Sequence, residues 1–123
     1  MQPSPLRLRL SALMGFLAIA LGAFGAHLLH DRLAATGRIA TWETAVQYHL
    51  PHAVVLLLLA LFAGERPAMV WAWRLVFAGI LIFSGSLYVL ALTGIKWLGA
   101  ITPIGGLSLM MGWLLLAIDA KKK

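Results

Sequence analysis

The chain has 123 residues, of which 62% are hydrophobic and 11% charged, and it contains no cysteine. This composition excludes a soluble globular domain, because a chain of this size has no interior large enough to bury so much apolar surface. The lack of cysteine excludes disulfides, thiolate metal sites and a cysteine nucleophile. The net charge of +6 does not indicate nucleic-acid binding, because the basic residues lie at the ends of apolar segments.

Four apolar segments predict an all-α integral membrane four-helix bundle. A hydrocarbon core of about 30 Å requires roughly 20 helical residues. The segments cover about 10–29, 44–63, 70–92 and 98–118, and the third reaches full length only if Arg74 extends its charge to the interface. The short loops between them predict antiparallel up-and-down connectivity within one domain, 1–123.

The first segment has two interpretations. Arg7 and Arg9 precede it, and the sequence Ala-Phe-Gly at 23–25 resembles a cleavage site, as in a secretory signal. Its apolar run is about 20 residues, whereas a signal core has about 7–15. We therefore expect an uncleaved membrane helix.

The longest segment outside the predicted spans is 30–43. Residues 30–35 are expected to extend the first helix or to form a short surface helix, with Thr36 and Gly37 as a stop signal. Thr41 is the predicted N-cap of the second span.

The basic residues predict the orientation. Seven of the ten Lys and Arg residues flank the side that holds both termini and the second loop, and cytoplasmic segments carry the excess of these residues. Both termini are therefore predicted to be cytoplasmic. The tryptophans are expected to form interfacial belts, with Trp71, Trp73 and Trp113 on the cytoplasmic side and Trp42 and Trp97 on the other.

Small residues indicate the packing faces of the first and fourth spans. In lipid, close backbone approach at small residues holds helices together. We expect packing within the chain rather than a dimer motif. The predicted packing residues are Gly15, Ala18, Gly22 and Ala26 in the first span, and Gly105, Gly106 and Gly112 in the fourth.

Polar side chains in the spans are predicted to share the half of the bilayer opposite the termini, apart from Ser11 near the boundary of the other half. Unpaired polar groups in hydrocarbon cost free energy, so we expect them to face one another in an outward-facing polar pocket. His27, Tyr48 and His52 are expected to converge there with Tyr88 or Thr102. The predicted pocket residues are His27, Gln47, Tyr48, His49, His52, Ser84, Ser86, Tyr88 and Thr102.

Several uses of this pocket are open. His27 and His52 could hold a haem or a metal, and His49 and His52 could relay protons or bind a quinone. The spans carry no complete nucleophile–base arrangement, so no catalytic residue, metal ligand or cofactor is predicted. The leading interpretation is that these groups hydrogen-bond across helices and hold the bundle together.

Four short motifs follow one another along the chain. They are Leu21-Gly-Ala-Phe-Gly-Ala-His27, Tyr48-x-x-x-His52, Phe83-Ser-Gly-Ser-Leu-Tyr88 and Thr102-Pro103-x-Gly105-Gly106. This succession resembles the YgdD/YwdK family of small bacterial inner-membrane proteins, a domain-of-unknown-function family with eukaryotic transmembrane relatives. The resemblance implies a four-span inner-membrane protein. It also favours His52 over His49 for a functional role, since His49 is a local variation in its segment.

The predicted function is that of a multi-pass inner-membrane protein without enzymatic activity, either an envelope or membrane-homeostasis factor or an accessory subunit. Its expected partners are the lipid bilayer and either further copies of itself or a larger membrane complex, but no nucleic acid. One alternative is a carrier or channel-like oligomer for a small solute or protons, which requires polar lining through both leaflets. The other is a haem- or quinone-binding redox subunit.

Overall fold

The computed structural model describes residues 3–120 and places most of them in helices. A single π-helical turn, Ile80–Ser84, joins α4 to α5, so these two form one third span of 27 residues. Four segments are long and apolar enough to cross a membrane, which confirms the predicted all-α membrane fold. The helices are α1 (Pro5–Ala26), α2 (His30–Ala35), α3 (Ile39–Phe62), α4 (Pro67–Gly79), α5 (Gly85–Thr93) and α6 (Leu98–Ala120).

Two spans begin earlier than hydropathy indicates. The α1 helix starts at Pro5, where proline needs no helical donor, and the Ser4 side chain accepts a hydrogen bond from the Arg7 N–H. The α3 helix starts at Ile39, so the N-cap predicted at Thr41 is wrong. Of the two alternatives for residues 30–35, the structure shows a separate short helix, α2.

Each membrane span packs against the span that precedes or follows it in the sequence. The α1 helix packs along α3, α6 packs along the third span, and α3 also contacts the third span. One apolar core lies towards the chain termini and includes Leu56, Trp73 and Val76. A second core lies at the opposite end, where α2 inserts Leu33 beside Trp42.

Arginines close the far end of the third span. Arg32 donates to the Leu92 carbonyl at 2.8 Å, and Arg38 donates to the Leu90 carbonyl at 3.2 Å. Both carbonyls belong to the last turn of α5, where the helix dipole is negative, and the Leu90 carbonyl also accepts from the Gly94 N–H at 2.8 Å. Gly94 then ends the helix with a φ of +75°, which a residue with a side chain rarely adopts.

Two ion pairs fix the loop between α3 and α4 at the end that holds the termini. Arg7 of α1 contacts Glu65 at 2.6 Å, and Arg66 pairs with Asp119 near the end of α6. The loop is thereby connected to the first span, α1, and to the fourth span, α6.

Glycines of α6 allow close contact with the third span. A Cβ on Gly105 would lie 2.3 Å from the Phe83 nitrogen, and one on Gly112 would lie 2.7 Å from Val76 Cγ2. Gly106 has more room, since a Cβ there would lie 3.6 Å from the Phe83 ring. Backbones therefore touch at Gly105, as expected where lipid supplies no hydrophobic driving force.

The small residues of α1 do not form one packing stripe. Ala18 is buried, and a Cβ on Gly22 would make an ordinary contact with Val46 at 3.4 Å. Gly15 has no atom within 4 Å of its Cβ position, and Ala26 is exposed, so the packing expected of these two is not seen. The buried residues of α1, Ser11, Met14, Ala18 and Gly25, share one arc of about 60° around the helix, and Gly15 and Ala26 lie beside this arc.

Two other glycines make the contacts that the spacing pattern missed. A Cβ on Gly25 would lie 2.1 Å from the Trp42 indole nitrogen, and one on Gly79 would lie 2.6 Å from Leu109 Cδ2. Each glycine therefore accommodates a large side chain from a neighbouring helix.

We predict that Gly105→Ala destabilises the protein by about 1–3 kcal/mol, because the added methyl group overpacks a backbone contact. Gly15→Ala is the matched control and should be neutral or stabilising by up to about 1 kcal/mol, because alanine favours a helix and the site is open. Thermal unfolding in detergent, followed by circular dichroism, measures both. Equal losses in the two variants would contradict the close contact at Gly105.

Candidate functional site

His49 is buried where three helices meet. It lies on α3 and is 2% exposed, and its Nδ1 is 2.9 Å from the Tyr88 hydroxyl on α5. The Tyr88 ring also packs against Trp42, with ring centroids 4.8 Å apart. The other imidazole nitrogen, Nε2, is buried and has no hydrogen-bond partner among the described residues. The pair therefore bonds α3 to α5 beneath α1.

A cleft of about 160 Å³ borders this pair. It lies between α1 and the third span, and it includes Leu17, Leu21 and Leu81 in its lining. The surface that it exposes is apolar, although His49 and Tyr88 contribute to it. This cleft is therefore not the polar pocket that the sequence predicts, because the polar atoms of the pair are turned into the helix interface.

His52 makes a second cross-helix contact. Its Nε2 is 3.0 Å from the indole nitrogen of Trp113 on α6, and its Nδ1 is 2.7 Å from the Tyr48 carbonyl. An indole N–H can only donate, so Nε2 is the acceptor and Nδ1 carries the proton that is donated to the carbonyl. Both nitrogens of His52 are thereby engaged within the protein, and neither is free to ligate haem or a metal.

Serine hydroxyls bond the third span to its two neighbours. Ser84 donates to the Ala45 carbonyl of α3 at 2.8 Å, and the Ser86 hydroxyl lies 2.6 Å from that of Thr102 on α6. Because Ser84 is buried and Ser86 nearly so, these contacts exclude lipid. Each hydroxyl therefore satisfies a group on a different helix.

The π-helical turn sets the directions of these serines. The Gly85 N–H bonds to the Ile80 carbonyl, five residues back, instead of four as in an α-helix. One extra residue rotates every later side chain by about 100° relative to an uninterrupted α-helix. The neighbours of α5 therefore cannot be derived from a regular helical wheel over the whole span.

Tryptophans contribute hydrogen bonds that the sequence analysis missed. Trp73 donates to the Ser11 hydroxyl at 2.9 Å, and Trp42 donates to the Leu21 carbonyl at 2.9 Å. The pair of Ser11 and Trp73 lies in the half of the bundle that holds the termini. Ser11 is the polar residue that the sequence places in this half, and its contact with Trp73 shows that polar contacts are not confined to one leaflet.

The tryptophan belt is only partly present. Trp71 and Trp97 are 55% and 64% exposed, as side chains at a membrane interface would be. Trp42 and Trp73 are buried, and Trp113 lies about two turns inside the end of α6, where it bonds to His52. The position of Trp113 in the sequence could have predicted this hydrogen bond, because an indole N–H at that depth needs an acceptor from the protein.

The expected convergence of His27, Tyr48 and His52 with Tyr88 is not seen. His27 is exposed at the end of α1, whereas α3 rises about 20 Å from its first residue to His52, so the two histidines lie at different depths. Tyr48 is 42% exposed and packs against Phe83 rather than Tyr88. It is His49, rather than the favoured His52, that pairs with Tyr88.

Gln47 is also exposed on α3 and lies outside these contacts. Within residues 3–120, no three His, Asp or Glu side chains are grouped so that they could hold a metal ion.

We predict that Tyr88→Phe lowers the free energy of unfolding by about 1–2 kcal/mol, because it removes the hydrogen-bond partner of a buried imidazole nitrogen. Tyr48→Phe is the matched control: it deletes the same atom from an exposed tyrosine and should change stability by less than about 0.5 kcal/mol. Denaturant unfolding in mixed micelles compares them. If Tyr88→Phe is as stable as Tyr48→Phe, His49 and Tyr88 do not stabilise the bundle.

The comparisons with known proteins agree with this architecture. A family model described as "Protein of unknown function (DUF423)" matches residues 21–106. A UPF0382 membrane protein of Staphylococcus epidermidis is 47% identical over 114 residues, covering 92% of this chain and 93% of the relative. The UPF0382 membrane protein YwdK of Bacillus subtilis is 42% identical over 116 residues, covering 92% and 94%.

No solved structure matches the chain. The matched region contains His49, His52, Tyr88 and Thr102, and therefore most of the cross-helix contacts described above. The identities and the coverage of both chains show that this chain is a membrane protein and belongs to the DUF423 family.

Proposed function

We propose that the protein is a non-enzymatic accessory or envelope factor of the bacterial inner membrane. It acts through lateral contacts within the bilayer rather than through chemistry or transport. The observation that supports this proposal is that the buried polar side chains of the described spans, Ser11, His49, Ser84 and Ser86, each bond to a neighbouring helix. Such groups stabilise a fixed bundle, since each would lose a partner if the helices moved apart.

A carrier would need polar groups that exchange partners with a solute. Here the hydroxyl of Ser84 is bound to a backbone carbonyl, Ser86 is bound to Thr102, and His52 is bound to Trp113. A redox subunit would need a histidine nitrogen directed at a cofactor, and both nitrogens of His52 are occupied within the protein. His49 Nε2 has no partner among the described residues, but it is buried, and the cleft beside it exposes only apolar surface. The geometry therefore favours the accessory role over these two alternatives.

The surface directed to the bilayer is apolar and adaptable. On α6, Leu107, Met110, Met111 and Leu114 are all at least 47% exposed. Methionine side chains adjust to irregular neighbours more easily than branched ones. Such a surface suits contact with lipid chains and with the helices of other membrane proteins.

We predict that the protein, whose chain has a mass of 13.3 kDa, migrates in a complex larger than its own oligomers when native membranes are solubilised mildly and separated by blue-native electrophoresis. A second membrane protein should be present in that band, and its abundance should fall when the gene for this chain is deleted. An unrelated four-span protein carrying the same tag is the control. Migration without another protein, or proton or solute flux in proteoliposomes that depends on the protein, would contradict the accessory role.

We also propose that both termini are cytoplasmic. The support is the excess of Lys and Arg on that side, seven against three. Since the chain has no cysteine, single-cysteine variants report the topology directly. Lys96→Cys should react with a membrane-impermeant maleimide in intact cells, whereas Glu65→Cys should react only after lysis. The reverse pattern would invert the orientation.

A further inference from the structure

A crevice open to the bilayer separates α3 from α6. It consists of two cavities of about 370 and 330 Å³, and Trp113 lines both of them. The larger one, here called the lower crevice, is lined by apolar side chains of α3, α4 and α6, with Arg66 at one end. The apolar lining of the lower crevice includes Val55, Leu59, Phe62, Met69 and Leu116.

The lower crevice lies within one leaflet. Its lining on and directly after α3 runs from Val55 to Ala63, eight residues further on, which corresponds to about 12 Å along the helix axis. This is less than half of the hydrocarbon thickness of about 30 Å. The hydrogen bond between Trp113 and His52 closes the lower crevice at its upper end, and Arg66 lies beyond Phe62, next to the first turn of α4. Its length therefore fits one acyl chain, whereas a spanning helix would need a groove through both leaflets.

The charge at the open end favours an anionic headgroup. The Arg66 side chain is 50% exposed, and its pair with Asp119 engages one terminal nitrogen of a guanidinium that has five N–H donors. Donors thus remain for a phosphate, which guanidinium binds well. Within residues 3–120, this end of the bundle carries four arginines, Arg7, Arg9, Arg66 and Arg74, against two acidic residues, Glu65 and Asp119.

We propose that the lower crevice binds one anionic phospholipid, with an acyl chain between α3 and α6 and its phosphate against Arg66. Van der Waals contact with the crevice wall holds the acyl chain, and Arg66 selects the headgroup. This site goes beyond the accessory role proposed above and does not depend on it.

Native mass spectrometry tests the headgroup contact. Protein extracted from vesicles of equal phosphatidylglycerol and phosphatidylethanolamine should retain one phosphatidylglycerol. Arg66→Gln should lower the bound fraction at least fivefold. Asp119→Asn also removes the ion pair but keeps the guanidinium, so it should retain the lipid. Arg74→Gln removes a cation that instead stacks on Trp71, and it should behave as wild type.

A steric variant tests the position of the acyl chain. Ala63 lines the lower crevice, and Ala63→Phe should fill it and abolish retention of either lipid. Ala12→Phe adds the same bulk to an exposed position of α1 and should leave retention unchanged. Circular dichroism establishes that the variants are folded. If Ala63→Phe fails to fold, the comparison of Arg66→Gln with Asp119→Asn still decides the proposal.

Four results would overturn the proposal. The first is equal retention of the two lipids by the wild type, and the second is unchanged retention in Arg66→Gln. The third is an equal loss of lipid in Arg66→Gln and Asp119→Asn, because the effect would then come from the ion pair. The fourth is a dimer without lipid that Ala63→Phe dissociates, because a second copy would then occupy the lower crevice.

Discussion

A polar group inside hydrocarbon has no water to bond with, and the arrangement of the whole bundle follows from this constraint. The α1 helix is bonded to α4 through Ser11, and α3 is bonded to α5 through His49. The α6 helix is bonded to α5 through Thr102, to α4 through Ser108, and to α3 through Trp113. Hydrogen bonds have strict geometry, whereas apolar contacts in lipid do not, so these few groups fix the rotation and register of helices that otherwise present similar apolar surfaces.

Hydropathy was sufficient to predict the four spans, because crossing the bilayer requires length and apolarity and these are read directly from the residues. It was less informative about the helix ends. The α1 helix starts at Pro5 after the Ser4 cap, whereas α3 starts at Ile39 without a side-chain cap, in the polar segment that precedes the apolar run. The π-helical turn at Ile80–Ser84 has no pattern in the sequence, because it results from packing against two neighbours at once.

The sequence predicted many of the polar side chains that form contacts, but not their partners. Tyr48, His49 and His52 lie within about 100° of one another around α3, an arc that looks like a single face. In a bundle this small, two neighbours share that arc, so His49 meets α5 while His52 meets α6. Tryptophan was assigned to the interface by its average preference, yet Trp73 is placed by the specific acceptor that its N–H finds.

The central claim is that these polar pairs stabilise the bundle. A double-mutant cycle on Ser86 and Thr102 tests this stabilisation most directly. Ser86→Ala, Thr102→Val and the double variant are unfolded in mixed micelles. We predict a coupling free energy of about 0.5–1.5 kcal/mol, the range for such bonds in membranes. As a control, Ser86→Ala combined with Thr93→Val should show no coupling, because Thr93 bonds to its own helix. A coupling of zero between Ser86 and Thr102 would contradict the account.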